Sequence, residues 1–387
     1  MLPFENVSFF YVIFLMVSII WLTKLFFKDT HYKYILFGLN TAFFLLFFRQ
    51  PIHFSLYIFW AYLITFLFTN VFMFSKRIWG IIVLLSPMLL VKLDISQKGF
   101  HWNEIISFAG LSYASFKAMS YFMDRSFKEK MEDPITYFNY LVFTPTLLIG
   151  PIDRLSNFKK YQDSGFSNIT WDNSSKAWDF FFLGVAFKYV GAELVDRYWL
   201  NIFPDSSTEV FAVLNTMYAY YVYLFFDFAG YSFMALGIAK FMGITIPQNF
   251  RNPFLARNSQ EFWHTFHVSL GDWLKAYFFT PLYTYFTRKK SLKKYPIFRQ
   301  NSSLFLTFLL MGCWNGFERH FIISGMLFGL ISVVHNTYSI QCKKKQKDII
   351  FGKIPDFWVK WISIFIMWNV VAFALYIFSG KAPFLHN

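Results

Sequence analysis

Long apolar runs joined by short polar or basic links dominate the hydrophobic pattern of this 387-residue chain. Several runs are too short to span a membrane alone, since ~20 helical residues are needed to cross a ~30 Å hydrocarbon core. The pattern predicts an all-α polytopic membrane protein, residues 1–387 forming a single membrane-embedded domain with about 11 membrane segments. The apolar runs are Ser8–Phe27, Tyr34–Phe48, Ile52–Phe74, Trp79–Val91, Ile105–Met123, Tyr137–Ile152, Trp178–Val195, Val210–Met242, Ser303–Trp314, Phe321–Val334 and Trp358–Gly380.

Composition supports this class, because 56% of the residues are hydrophobic and only 15% are charged. A water-soluble globular domain carries roughly 25% charged residues. Lys24, Lys28 and Lys33 follow the first run, so the positive-inside rule predicts an extracytoplasmic N-terminus. The formal net charge of +14 is then explained by basic cytoplasmic loops, and no nucleic-acid partner is required. Cys313 and Cys342 form no CxxC pair, and neither a structural metal nor a tightly bound cofactor is predicted.

The segment Phe262–Leu274, with the sequence FWHTFHVSLGDWL, places imidazole and carboxylate groups within this apolar chain. Ionisable groups at membrane depth are costly and are candidates for function. As one helix, the segment would have an apolar face on which His267 lies among aromatic side chains, where a neutral imidazole is favoured. The alternative is a histidine satisfied by a neighbouring carbonyl or lying near the headgroups. The apolar face would contain Trp263, Phe266, His267, Leu270, Trp273 and Leu274, with His264, Asp272 and Lys275 pointing elsewhere.

A second candidate site lies between two basic clusters, where the apolar legs Ser303–Trp314 and Phe321–Val334 are only 12 and 14 residues long. Each leg would reach about 18–21 Å as a helix, so we expect the chain to enter the membrane, turn and return. The polar turn would be Trp314–His320, and irregular backbone at membrane depth is tolerated only inside protein or beside a watery cavity. The alternative is that Glu318 and Arg319 form an ordinary loop pair at the far surface.

A single carboxylate, Asp227, stands in the aromatic run Phe225–Ser232. An unpaired carboxylate there would be costly or protonated, so Asp227 needs a partner, and Lys188, Arg251 and Arg257 are the candidates. A structural role is the first interpretation of Asp227, and a contribution to substrate binding is the second.

The order of these motifs along the chain resembles the membrane-bound O-acyltransferase (MBOAT) family. The resemblance runs from about Leu90 to Gly380 and is greatest to the members that transfer D-alanine to teichoic acid in Gram-positive bacteria. The motifs that carry it are GLSYASFK, FTPTLLIGPIDR, YLFFDFAGYSFMALGIAKFMGI, NFRNPFLARNSQEFWHTFHVSLGDWLKAYFF, MGCWNG and FALYIFSG.

The resemblance implies a ring of tilted and re-entrant helices around a central funnel that opens to the outside. It also implies an acyl donor on the cytoplasmic side, namely D-alanine held as a thioester on the phosphopantetheine arm of a small acidic, DltC-like acyl-carrier protein. The acceptor would be a hydroxyl of teichoic acid or another glycopolymer outside the cell membrane. The basic loops Arg288–Lys294 and Lys343–Lys347 are reasonable docking places for the carrier, although positive-inside bias alone would also produce them.

The family signature normally contains two histidines, one in a W-H-x-S-like helix and one in a later W-H-G turn that is usually taken as the catalytic base. His267 matches the first, but the second motif reads Trp314-Asn315-Gly316. An amide cannot accept a proton at neutral pH, although it can donate a hydrogen bond to a carbonyl oxygen or an oxyanion. His320 is a weak substitute, about 140° around and ~7.5 Å along an ideal helix from Asn315.

We therefore expect His267 to position a substrate or to act as a base, and Asn315 to polarise the thioester carbonyl. The residues expected to bind substrate beside them are Trp263, Ser269, Asp227 and Trp314. Two other readings stay open. One is a non-catalytic relative that binds the carrier or teichoic acid components, or assists a paralogous enzyme. The other is a transporter or channel for an anionic or lipid-linked substrate, against which the motif order and the lack of inverted repeats both speak.

Overall fold

The computed structural model describes residues 7–48, 51–72, 77–97, 110–204, 209–346 and 348–382. These residues contain helices and no β-strand, which confirms the all-α prediction for the described chain. Parts of the predicted third and fifth apolar runs, as well as Lys347, lie outside the described residues. The chain divides into two compact units, Met1–Ala186 with Gly230–Gln248 and Phe187–Ala229 with Asn249–Asn387.

Fifteen α-helices of five or more residues give the described part of the chain its order, and the three-residue helix Glu193–Val195 is not numbered. Wider π-helical turns over Ala186–Ala192 and Asp196–Leu200 continue α8, and the 32-residue α9 supplies residues to both units. The helices are α1 Val7–Thr23, α2 Asp29–Phe47, α3 Pro51–Phe66, α4 Arg77–Gln97, α5 Leu111–Asp124, α6 Pro134–Val142, α7 Leu155–Ser164, α8 Trp171–Val185, α9 Val210–Phe241, α10 Ser259–Trp263, α11 Val268–Leu274, α12 Thr280–Arg288, α13 Pro296–Asn315, α14 Arg319–Lys345 and α15 Asp356–Phe378.

Four described helical segments are long and apolar enough to cross a membrane, judged by length and composition. They are Pro51–Val71, Val210–Phe241, Arg319–Lys345 and Asp356–Phe378, and α1 is a shorter apolar helix. Many large apolar side chains on these segments are exposed, as expected for helices that face lipid. The larger number of membrane segments, about 11, stays a prediction.

The first unit contains buried polar groups that bond to one another. Asn40 donates to Asn139 (3.2 Å), Asn139 donates to Gln162 (2.9 Å), and Gln162 donates to the Thr136 hydroxyl (3.0 Å). Lys117 is 1% exposed, and its ammonium group donates to two buried oxygens. Because satisfied buried groups stabilise a unique packing, this network has a structural role.

The second unit contains a helical hairpin made of α13 and α14. A Cβ added at Gly312 of α13 would lie only 3.0 Å from the Cα of Gly325 on α14, so the two backbones approach closely where they face each other. Toward the other end, Gln300 donates to Asn336 (3.1 Å) and Asn336 donates to Asn301 (2.7 Å). These contacts fix the register of an antiparallel pair whose connecting turn is residues 316–318.

The hairpin helices are longer than the apolar runs suggested. The 20 residues of α13 and 27 residues of α14 extend about 30 and 40 Å. The expectation that neither leg is long enough to cross a bilayer is therefore wrong for α14, which is one of the candidate spans. Polar residues continue both helices because backbone hydrogen bonds and unbranched side chains such as Gln and Lys maintain a helix without an apolar face.

Candidate functional site

The segment Phe262–Leu274 is interrupted and does not form the single helix that its periodicity predicted. Helix α10 ends at Trp263, and α11 begins at Val268. Between them His267 has left-handed backbone angles, φ 48° and ψ 49°. A side chain other than glycine in this region costs roughly 1–2 kcal/mol, so neighbouring contacts must hold the break.

Asn249 supplies two of those contacts from 18 positions earlier in the chain. Its backbone carbonyl accepts the Val268 N–H (3.0 Å), and its side-chain oxygen accepts the Ser269 N–H (3.1 Å). Asn249 is fully buried, and Ser269 is 4% exposed in the first turn of α11. These bonds satisfy amide groups that a helix beginning at Val268 would otherwise leave without a partner, so Asn249 fixes where the break occurs.

Most positions of the predicted apolar face are nevertheless buried on both sides of the break, although Trp263 and His267 are only half-buried. Phe266, Leu270 and Trp273 are buried, whereas His264 and Asp272 are exposed.

The His267 imidazole packs edge-on against Phe228 of α9, with ring centroids 4.6 Å apart. Its Nε2 atom is buried and has no hydrogen-bond partner among the described residues, so the alternative of a neighbouring carbonyl does not hold for this nitrogen. His267 lies outside the four candidate spans, and burial lowers the pKa of its imidazole to about 3. The ring is therefore neutral near pH 7, as expected, and it is a weak proton acceptor that still has hydrogen-bonding capacity.

Asp227 precedes Phe228 on α9 and is paired with Lys188. Lys188 is one of the three partners that the sequence suggested, and it comes from the π-helical turns that follow α8. Both side chains are about four-fifths buried. Removal of either member would leave a buried charge without its partner, so the pair connects α9 to the turns after α8, which favours the structural interpretation of Asp227.

Trp263 joins the histidine segment to the helical hairpin. Its ring lies 5.0 Å from Phe308 of α13 and 5.1 Å from Phe328 of α14, measured between centroids. The Ser259 hydroxyl, one turn earlier, lies 2.7 Å from the Ser332 hydroxyl of α14. The indole Nε1 of Trp263 is buried without a partner among the described residues, so it retains a donor for a bound molecule.

The turn between α13 and α14 carries the other predicted residues. The Asn315 side chain is exposed and donates to the Met311 carbonyl (2.9 Å), one turn back on α13. The His320 ring is tilted by 50° against the Phe321 ring with centroids 4.0 Å apart, and a Cβ added at Gly380 would lie 3.6 Å from its Nδ1. His320 is thus packed against neighbouring residues. That His267 and Asn315 share one site stays a prediction.

Glu318 is the residue of this turn whose environment sequence reasoning missed. Its Oε2 atom is buried, and no described residue donates a hydrogen bond to it. Glu318 forms no ion pair with Arg319, so the ordinary loop pair is not observed within the described chain. A buried acceptor without a donor costs about 1–3 kcal/mol. Only the sequence proximity of Glu318 to the Asn315 motif could have indicated it.

A cavity of about 290 Å³ lies within the second unit, beside α10, α11, α13 and α14. One side of α13 lines it from Gln300 to Met311, a distance of roughly 16 Å along the helix axis. Trp263 and His335 also line it. Because Met311 accepts the hydrogen bond from Asn315, the cavity extends to within one helical turn of the Asn315 motif.

The two basic clusters lie at the same end of the hairpin, opposite the Asn315 turn along the helices. Arg288, Lys289, Lys290, Lys293 and Lys294 precede α13, and all are exposed. None of these five forms an ion pair with any acidic residue in the described part of the chain. Lys343–Lys345 end α14 and are also exposed. Like charges concentrated there produce a positive surface near the Gln300 end of the cavity.

The sequence of this chain matches one family model and is similar to three proteins of known description. The model of the membrane-bound O-acyltransferase family matches residues 9–378. Teichoic acid D-alanyltransferase of Bacillus subtilis is 32% identical over 295 residues, which cover 74% of this chain and 71% of that protein. The proteins of the same description from Streptococcus thermophilus and Lacticaseibacillus rhamnosus are 30% identical over 305 residues and 28% identical over 295 residues. They are matched over 76% and 72% of this chain and over 73% and 71% of their own lengths. The chain therefore belongs to the membrane-bound O-acyltransferase family.

Proposed function

We propose that this protein transfers D-alanine from a carrier-protein thioester to a hydroxyl of teichoic acid or another cell-envelope glycopolymer. Three relatives that bear the name teichoic acid D-alanyltransferase, each matched over more than 70% of its length, support the reaction class and the acceptor. The observation that carries the proposal is the cavity that follows α13 from the basic end of the hairpin to Met311, next to Asn315.

The donor would approach from the basic end. A small acidic carrier fits the exposed, unneutralised lysines before α13 and at the end of α14, because opposite charges steer association. Its thioester-bearing arm would enter the cavity near Gln300 and bring the acyl group toward Asn315. Positive-inside bias assigns this end of the hairpin to the cytoplasm.

The side chains have distinct roles in this proposal. Asn315 would donate a hydrogen bond to the thioester carbonyl and stabilise the oxyanion that forms on attack. His267, neutral because it is buried, would orient a substrate by hydrogen bonding. Trp263 would contact the donor arm, because its indole lines the cavity. Ser269 and Asp227 would act through the backbone and helix packing of the His267 segment.

A second candidate function is a non-catalytic member of the family that binds the carrier or the glycopolymer. Asn315 at the turn and the low pKa of His267 favour it, because neither group is an effective proton acceptor near pH 7. Formation of the D-alanyl ester separates the two functions. Vesicles that contain the protein, supplied with D-alanyl carrier and teichoic acid, should accumulate ester-linked D-alanine. Carrier binding without any ester would assign the accessory role.

Carrier docking is tested with a matched pair of double charge reversals. Lys293→Glu with Lys294→Glu should raise the carrier Kd roughly tenfold at low salt, since each exposed ion pair contributes up to ~1 kcal/mol and reversal adds repulsion. Lys128→Glu with Lys130→Glu changes two exposed lysines of the first unit and should leave Kd within about twofold. Salt should weaken native binding, because charges are screened over ~8 Å at physiological ionic strength. A Kd that responds neither to salt nor to the first pair would refute electrostatic docking.

A further inference from the structure

The Glu318 carboxylate occupies the place where a side chain at position 316 would be. A Cβ added at Gly316 would overlap Glu318 Oε2 and would approach the Phe321 ring to 2.7 Å. The Gly316 backbone is extended, with φ 176°, which any residue can adopt. A side chain at position 316 would therefore have to displace the end of the Glu318 side chain, and in the structure that space is filled by a carboxylate beside the residue that follows Asn315.

Three side chains at the two motif turns are less suitable proton acceptors than Glu318. Asn315 is an amide, and its nitrogen donates to the Met311 carbonyl. The His267 ring lies in aromatic packing that keeps it neutral. His320 is packed against Phe321 and beside Gly380. By contrast, Glu318 has a buried carboxylate oxygen that accepts no bond from any described residue, and the residue as a whole is partly exposed.

We infer that Glu318 is the general base that takes the proton from the attacking hydroxyl, an inference that rests on the proposed acyl transfer. The hydroxyl donates to the carboxylate of Glu318, and its proton moves there as its oxygen attacks the thioester carbonyl carbon. Asn315 holds the resulting oxyanion. The tetrahedral intermediate then expels the carrier thiolate, which receives the proton from the Glu318 carboxyl group. The products are one ester and one free thiol, and Glu318 returns to its starting state.

Substitution of Glu318 tests this role. Glu318→Gln keeps the shape of the side chain but cannot accept a proton, so kcat for ester formation should fall by about 10²–10⁴. Glu318→Asp keeps the carboxylate on a shorter side chain and should lose less. Glu193→Gln is the control, because Glu193 is an exposed carboxylate of the same unit that pairs with Arg197; it should leave the rate within about twofold. Carrier Kd and thermal unfolding in detergent show whether each variant is folded.

A histidine at position 315 should restore the activity that Glu318→Gln loses. Asn315→His in the Glu318→Gln background should restore most of the lost rate, because an imidazole would again supply a base at this turn. A Glu318 carboxylate that only supported the packing of the turn would not be replaced by an imidazole at position 315, so this rescue distinguishes a base from a structural group.

Three outcomes decide between the inference and the function on which it rests. A folded Glu318→Gln protein that makes ester at the native rate overturns the role of Glu318 and leaves the proposed function standing. A native protein that makes no ester while Asn315→His does also overturns it, because Glu318 was then insufficient as a base. If neither the native protein nor Asn315→His makes ester, the proposed function itself is wrong.

Discussion

The two motif turns of the second unit differ in what they offer to a substrate. At the first, His267 has strained backbone angles and an imidazole set among aromatic rings, where burial keeps it neutral. At the second, Asn315 is exposed in a turn that contains no left-handed residue and that also carries the Glu318 carboxylate. Hydrogen bonding in a fixed geometry and proton transfer are therefore assigned to different turns. A match to the family motif therefore does not by itself make His267 the base.

Of the changes that test this comparison, removal of the His267 side chain should lower ester formation the most. His267→Ala is expected to lower ester formation by roughly 10²-fold, the usual loss for one oriented hydrogen-bonding group. Because a neutral imidazole of low pKa is not the group that titrates near pH 7, the shape of the pH–rate profile should not change. The measurement is kcat against pH for the native and variant proteins. Loss of the acid limb in His267→Ala would identify His267 as the base and contradict the division between the two turns.

Asn249→Ala is expected to have an intermediate effect, because it removes the side-chain acceptor that begins α11 at the correct residue. Loss of such a cap costs about 1 kcal/mol, and displacement of His267 should lower ester formation about tenfold. Asn258→Ala is the matched control, since the Asn258 side chain caps α10 by accepting the Glu261 N–H (3.0 Å). Both variants should unfold at similarly lowered temperatures in detergent. Equal rates of ester formation in the two variants would show that Asn249 has no special role in positioning His267.

Gly316→Ala tests the second turn and should have the smallest effect of the three changes, which is a loss of stability. The added methyl group would overlap the Glu318 carboxylate, and the strain should cost about 1–3 kcal/mol of stability. Gly38→Ala is the control, because nothing lies within 4 Å of the added Cβ on α2, and the change should stabilise that helix by about 0.5–1 kcal/mol. Thermal unfolding measures both changes. An unaltered Gly316→Ala protein would mean that the carboxylate is not held against this glycine.

The sequence predicted the parts of the site that depend on local chemistry. The cost of an isolated buried carboxylate required a partner for Asp227, and Lys188 is that partner. Apolar periodicity correctly separated the buried side chains of the His267 segment from the exposed ones. Motif order indicated the family, which the match over residues 9–378 confirms. These results follow from residue identity and short-range spacing, and both are present in the sequence.

Tertiary contacts decided what periodicity could not. The helix break at His267 depends on hydrogen bonds from Asn249, and an uninterrupted apolar pattern contains no record of such a distant acceptor. The position of the Glu318 carboxylate against Gly316 depends on how the hairpin of α13 and α14 closes, because that closure sets the path of the turn. The cavity exists only because α10, α11, α13 and α14 leave a space between them when they pack. The sequence by itself thus determined the class, the family and the motif residues, whereas folding determined which of their atoms are buried, bonded or accessible, because those properties belong to contacts between distant segments.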